Sequence, residues 1–230
     1  MKNETKNEIM FFIKFGEKKN ILDLYGNGTL FFNTIEYFRK LENEQGVRGD
    51  NYEGTLKLTN FTDKDKVDFQ ITNPETGKII KLKPTKLHLR EFLSDIKGNL
   101  YSLYSLKTPE ILDFENFKID ERVKEFGDYF IIIHNPSRFI DSIIKELDSQ
   151  KISYKAKLVR YYEKTELNGE ISLFDKPSEF EYQKEYRIIL YNNESKPIKI
   201  KIDSLKEYSS IFKSDSIEKM KIDLVDKQTE

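Results

Sequence analysis

Short runs of apolar and β-branched residues recur along the chain and predict most of its secondary structure. Runs of this length, bounded by Gly, Pro, Asn or Asp, are typical of β-strands. They predict strands over residues 9–15, 29–32, 55–61, 67–72, 79–82, 100–106, 129–134, 152–162, 180–190 and 198–202. Residues 73–77, Asn-Pro-Glu-Thr-Gly, have the composition of a hairpin turn between two of these strands.

Three other segments repeat their apolar residues at helical spacing. Helices are predicted over residues 17–25 and 34–41, and Asn33 with Glu36 has the spacing of a capping box at the start of the second. Asn135 followed by Pro136 predicts a further helix start, because Asn is a favoured N-cap and Pro is favoured at the first helical position. Residues 107–125 are predicted to be irregular or partly helical.

Strands outnumber helices about two to one in this prediction, and helices interrupt them irregularly. That order is typical of an α+β protein rather than of repeated βαβ units. We therefore expect a single α+β domain over residues 1–230, with a mostly antiparallel sheet core and a few packed helices. The charged ends, residues 1–8 and 219–230, are expected to fray.

Composition narrows the functional classes. The 39 basic and 40 acidic residues nearly cancel, so overall charge does not favour nucleic acid or an anionic membrane. There is no Cys, which excludes disulfides, thiolate metal sites and Cys nucleophiles. The chain starts with a polar segment and has no long apolar stretch, so we expect a soluble cytoplasmic protein without a membrane partner. The oligomeric state stays open.

The first candidate site is the polar row Gln183, Glu185 and Arg187 in the predicted strand 180–190. Side chains alternate along a strand, so these three would share one face. Glu185 there could stabilise a developing cation or bind a ribose hydroxyl, and Gln183 could orient an incoming group. The alternative is a solvated strand face, or an ion pair that only anchors the strand.

The second candidate is the loop that contains Arg48, Asp50 and Glu53. Two glycines bracket these charges, and glycine allows a backbone to approach a ligand closely. The alternative is a flexible connector.

The third candidate is the strand that contains Ser102 and Tyr104, which share one face. A Ser nucleophile needs a base, but His88 and His134 are the only histidines and neither is in a nucleophile-elbow context. Neither has the spacing of a metal site, so no metal is expected. No glycine-rich phosphate loop of the familiar types is present.

Several segments together resemble a known family. They are Asn27-Gly28-Thr29-Leu30-Phe31-Phe32-Asn33, Arg48-Gly49-Asp50 with Glu53-Gly54, and Tyr182-Gln183-Lys184-Glu185-Tyr186-Arg187. The combination resembles bacterial proteins related to abortive-infection (phage-defence) proteins. Those in turn are similar to distant members of the ADP-ribosyltransferase-like fold.

The resemblance implies a site for NAD, used as a substrate, built from three strand-borne elements. The first falls on residues 11–15, where Lys14 stands in place of the usual Arg or His. The second, a Ser-rich strand, matches residues 101–105. The third matches Gln183-Lys184-Glu185, where Glu185 would hold the nicotinamide ribose and stabilise an oxocarbenium-like transition state, and Gln183 would orient the acceptor.

In this reading Glu185 and Gln183 are catalytic. The residues expected to bind NAD are Lys14, Ser102, Tyr104, Arg187, Arg48, Asp50 and Glu53. The acceptor would be an unknown protein or nucleic acid. The alternative is a non-catalytic binding or sensor protein on the same scaffold, recognising a nucleotide, a nucleic acid or a phage protein, and Lys14 favours that alternative.

Overall fold

The computed structural model describes residues 8–44, 55–62, 65, 68–83, 85–92, 97–113, 115–192 and 196–222. Its α-helices are α1 (Lys18–Asn27), α2 (Ile35–Glu44), α3 (Thr108–Leu112) and α4 (Pro136–Ser149). Its strands are β1 (Ile9–Gly16), β2 (Thr29–Thr34), β3 (Thr55–Thr62), β4 (Phe69–Thr72), β5 (Ile79–Leu82), β6 (Lys86–Phe92), β7 (Asn99–Lys107), β8 (Tyr129–Ile133), β9 (Ser153–Leu158), β10 (Arg160–Tyr162), β11 (Gly169–Glu170), β12 (Asp175–Pro177), β13 (Glu185–Tyr191), β14 (Ile198–Lys201) and β15 (Ser209–Lys213). Segments of 3₁₀ helix cover Glu121–Phe126, Ser178–Gln183, Lys206–Tyr208 and Ser214–Lys219.

The largest sheet is antiparallel and has β7 at its centre. Its strand order is β14-β2-β7-β1-β8-β15, and β13 also pairs with β7 and carries β9 beyond it. Smaller sheets are formed by β11-β3-β6, by the β4–β5 hairpin and by the parallel pair β10–β12. The expected α+β fold with a mainly antiparallel sheet core is confirmed.

One edge of β7 is divided between two strands. Asn99 and Leu100 pair with β2, whereas Tyr104 and the residues after it pair with β1. All three named residues also pair with β13, so β1 and β2 must share the opposite edge of β7. This arrangement leaves residues 101–103 between the two pairings, and it opens a gap in the sheet beside Ser102.

The main core lies on one face of this sheet, against α1 and α4. Helix α4 starts where the sequence predicts, because the Asn135 Oδ1 accepts the Arg138 backbone N–H at 3.0 Å and Pro136 occupies the first turn. Its buried stripe of Phe139, Ile143 and Leu147 packs on the sheet. From β7, Tyr101 and Leu103 point into the same core.

The other face of the sheet carries two smaller apolar clusters. One gathers Ile13, Phe15, Tyr104, Leu106, Ile119, Val123, Phe130, Ile132 and Ile217. The second gathers Ile35, Leu100, Phe174 and Ile189, with Phe38 and Leu173 packed against it. Polar residues of β7 and β13 lie between these two clusters.

Several element predictions need correction. Residues 180–183 are not strand: they belong to a 3₁₀ helix, and β13 begins only at Glu185. The predicted strand 152–162 is interrupted at Val159, where the chain passes from β9 to β10. Strands β6, β11, β12 and β15 were not predicted. Helix α2 is capped by Thr34, whose Oγ1 accepts the Tyr37 N–H at 3.0 Å, rather than by Asn33.

Candidate active site

A cavity of about 250 Å³ lies on the face of the sheet opposite the main core. The polar residues that line it are Lys14, Ser102, Lys176, Gln183, Glu185 and Arg187. Its walls are largely aromatic and aliphatic, with Ile13, Phe15, Tyr37, Phe38, Leu100, Tyr104 and Phe126. The gap in the sheet edge and the space between the two apolar clusters meet at this cavity.

Glu185 and Arg187 form its buried centre. In register, Glu185 lies opposite Tyr104 and Arg187 lies opposite Ser102, so all four side chains share one face. The Arg187 Nε donates to Glu185 Oε1 at 2.8 Å, and its second terminal nitrogen donates to Oε2 at 3.3 Å. Arg187 is 2% exposed and Glu185 6%, so the predicted alternative of a solvated strand face is wrong.

Lys176 adds a second buried cation. Its Nζ donates to Gln183 Oε1 at 2.6 Å and to Glu185 Oε2 at 3.2 Å, and its side chain is 6% exposed. The Gln183 Nε2 in turn donates to the Tyr182 hydroxyl at 3.2 Å. These bonds orient the Gln183 amide, although Gln183 is not on the strand.

The turn between Gln183 and β13 explains this placement. Lys184 has a φ of 40°, in the left-handed region that a residue with a side chain rarely adopts. Its carbonyl accepts both the backbone N–H of Ser105, at 2.9 Å, and the Ser105 hydroxyl, at 2.7 Å. These two hydrogen bonds hold the start of β13 against β7, next to Glu185, which lines the cavity.

The charge state of Glu185 follows from its neighbours. Burial alone raises the pKa of this carboxyl, but the charges of Arg187 and Lys176 and the hydrogen bonds from Arg187 and Ser102 outweigh burial. The pKa of Glu185 is therefore well below its usual 4.5, and the group is a carboxylate at neutral pH. Three cations and this single carboxylate line the cavity among the described residues.

Lys14 lines the cavity, although alternation along β1 places its side chain on the face that also carries Phe12 of the main core. Its Nζ donates to the Ser102 carbonyl oxygen at 2.7 Å and lies 4.3 Å from the centre of the Tyr101 ring. The Ser102 hydroxyl donates to Glu185 Oε1. One residue of β7 thus links the cation of β1 to the carboxylate of β13.

Two tyrosines complete the polar surroundings. The Tyr161 hydroxyl accepts the Glu185 backbone N–H at 2.9 Å. The Tyr104 hydroxyl is buried, and it makes no hydrogen bond to any part of the chain that the structure describes. Burial raises the pKa of both phenols, so both are protonated at neutral pH.

The structure brings together most of the residues predicted from the sequence. Lys14, Ser102, Tyr104, Gln183, Glu185 and Arg187 all line one cavity. Arg48, Asp50 and Glu53 lie outside the described residues. Sequence reasoning missed Lys176 and Tyr161, because a single Lys or Tyr in a polar segment has no distinguishing pattern. It also missed Phe38, which only the fold brings to the cavity.

The histidines are away from this site. The His88 Nδ1 lies 2.5 Å from Asn60 Oδ1, in the smaller sheet that contains β3 and β6, while the His134 ring lies edge-on to Phe11. Within the described residues, no group of three or more His, Asp or Glu is placed to hold a metal ion. None of the helices in the described segments is long and apolar enough to cross a membrane.

No family model, curated protein or solved structure matches the chain.

Proposed function

We propose that this protein transfers ADP-ribose from NAD to an acceptor. The observation that carries the proposal is the meeting of Lys14, Ser102 and Gln183 with Glu185 in one cavity. They come from three separate parts of the chain, β1, β7 and the turn into β13. These are the three elements that the resemblance to ADP-ribosyltransferases implies, and their convergence supports it.

In the proposed reaction, the bond between the ribose C1′ and the nicotinamide nitrogen breaks, and nicotinamide leaves with the electron pair. The acceptor nucleophile then bonds to C1′ and releases its proton to solvent. Glu185 stabilises the positive charge that develops on the ribose, because its lowered pKa keeps it ionised in a site of low polarity. Gln183, held by Lys176, orients the acceptor.

The size of the cavity limits how NAD would bind. Its volume of about 250 Å³ is below the range for drug-sized ligands, whose pockets measure about 300–1,000 Å³. The reacting nicotinamide riboside half would enter the cavity, and the adenosine half would extend past Tyr37, which is 44% exposed. We place the activity in bacterial phage defence or toxicity, in line with the resemblance.

A second candidate is a non-catalytic sensor that binds a nucleotide in the same cavity. The observation that favours it is that Arg187 and Lys176 already donate hydrogen bonds to both oxygens of Glu185. Two adjacent cations reduce the ability of a carboxylate to stabilise a third positive charge. Lys14, which stands in place of the family's usual Arg or His, also favours the sensor.

Release of nicotinamide from NAD separates the two candidates. We expect the wild-type protein to release nicotinamide and Glu185→Gln to lose at least about a hundredfold in rate, as when a transition-state charge loses its partner. The matched control is Glu181→Gln, an exposed carboxylate in the preceding 3₁₀ helix. Its rate should equal that of the wild type.

NAD binding without nicotinamide release would favour the sensor. A rate in Glu185→Gln equal to that of the control would remove Glu185 from the catalytic role. Thermal melting of both variants shows whether a lost rate reflects a lost fold. For the biological part, toxicity on expression in bacteria should disappear with Glu185→Gln and persist with Glu181→Gln.

A further inference from the structure

We propose that Lys176 recognises a phosphate group of the ligand and, by moving to it, frees Glu185 Oε2 for a ligand hydroxyl. Nothing in the sequence pattern or in the resemblance assigns a role to this lysine. The inference rests on the proposed function for the place where the ligand binds, but it does not depend on turnover.

The first argument is charge. Arg187 alone contacts both oxygens of Glu185, so the carboxylate already has a paired cation of its own. Lys176 is a second buried cation on the same carboxylate. Buried charges are costly unless they are paired, so a cavity with this excess of cations favours an anionic ligand.

The second argument is the geometry at Oε2. The short bond of Lys176 is to the neutral Gln183 oxygen, at 2.6 Å, and its contact with Glu185 Oε2 is 3.2 Å. The Arg187 contact with Oε2 is also long, at 3.3 Å. Charge-assisted bonds of this kind are usually about 2.7–2.9 Å. Oε2 is therefore the weakly held oxygen of Glu185, and the one at which a hydroxyl can replace the lysine.

The third argument is that the backbone around Lys176 is held in place while its side chain can still rotate. Its neighbour Asp175 accepts the Arg160 Nε at 2.6 Å and the Ser172 backbone N–H at 2.8 Å, which fixes the backbone of β12. The four-carbon stem of a lysine still has several rotatable bonds. The ammonium can therefore move from Oε2 towards a phosphate while β12 stays in place.

The test uses two ligands that differ by one phosphate, nicotinamide riboside and nicotinamide mononucleotide, titrated by calorimetry. The wild-type protein should bind the mononucleotide at least about tenfold more tightly, since a charge-assisted hydrogen bond is worth that ratio or more. Lys176→Met should remove most of this preference by weakening the mononucleotide alone. The preference should survive in Lys176→Arg, which keeps the charge.

Lys157→Met is the matched control. Lys157 lies beside Arg187 on the neighbouring strand β9, is exposed and does not line the cavity, so its loss should leave the preference unchanged. Three results would overturn the inference: no preference in the wild type, equal weakening of both ligands by Lys176→Met, or the same loss with Lys157→Met. Melting curves confirm that each variant is folded, and Lys176→Arg carries the test if the Met variant is not.

The outcomes also separate this inference from the proposed function. A preference that depends on Lys176 in a protein that releases no nicotinamide from NAD would end the transfer reaction alone. Turnover that depends on Glu185, with an unchanged phosphate preference in Lys176→Met, would end the inference alone.

Discussion

The two faces of β7 and β13 are built from alternate residues of the same strands, yet only one of them buries charged side chains. One face packs against α4, with Tyr101 and Leu103 from β7 and Ile188 and Leu190 from β13. The other face carries Ser102 and Tyr104 from β7 and Glu185 and Arg187 from β13. The first face buries apolar area, which stabilises the fold. The second buries charges that are costly to keep, which is typical of a functional site.

The largest loss of stability is expected when a large buried side chain is removed from the core on the apolar face. Phe139→Ala removes a fully buried ring of α4 and should lower the free energy of unfolding by about 4 kcal/mol. Urea denaturation measures this loss. In conditions where the variant is still folded, its affinity for nicotinamide mononucleotide should be that of the wild type. A changed affinity would show that the two faces are not independent.

A smaller loss is expected from breaking the ion pair, and it should be partly reversible by removing both partners. Glu185→Leu leaves Arg187 buried without its carboxylate and should cost about 3 kcal/mol of unfolding free energy. The double variant Glu185→Leu/Arg187→Met should recover part of that loss, because the Arg187 charge is then removed, while the buried Lys176 still lacks its carboxylate. If the two single losses simply add in the double variant, the ion pair is not the reason for the cost.

The pH dependence of the unfolding free energy tests the contribution of Glu185 on the polar face. The folded pKa of Glu185 lies below the unfolded value, so the unfolded chain binds the proton first as pH falls. The stabilisation from Glu185 is complete above about pH 4.5 and is lost as pH falls from there towards the folded pKa. The difference in unfolding free energy between wild type and Glu185→Gln should therefore be constant above about pH 5 and shrink as the pH falls below about 4.5. A difference that stays constant over the whole range would contradict the lowered pKa.

The smallest effect is expected from the N-cap of α4, the helix that packs on the apolar face. Asn135→Ala removes the acceptor for the Arg138 N–H and should cost about 1 kcal/mol. Thermal denaturation resolves a loss of this size. Asn135→Ser, which keeps a capping oxygen, should stay close to the wild type. An equal loss in both variants would mean that the cap is not what stabilises α4.

The apolar face was largely predictable from local sequence. Asn135 and Pro136 mark the start of α4 because capping depends on neighbouring residues alone, and β8 follows from a continuous apolar run. Strand β15 escaped prediction because Ser209 and Ser210 give it little apolar character. The turn at residues 180–183 was mistaken for strand because its aromatic residues favour strands, while the left-handed Lys184 ends the 3₁₀ helix there.

The polar face was predictable in its residue types but not in its geometry. Glu185 and Arg187 are two positions apart on a strand, so their shared face follows from alternation. That Lys14 would contact Ser102, 88 residues away in sequence, depends on how β1 and β2 share one edge of β7. Lys176 contacts Glu185 only because the fold brings β12 beside the cavity, and no local pattern contains that information.

The central claim is that the polar face of β7 and β13 binds the reacting end of NAD. A crystal structure with carba-NAD, an analogue that cannot be cleaved at the nicotinamide bond, tests it most directly. The account predicts a ribose hydroxyl within hydrogen-bonding distance of Glu185 Oε2, and a phosphate that Lys176 contacts in place of that oxygen. An analogue bound outside the cavity, or none bound at millimolar concentration, would contradict it.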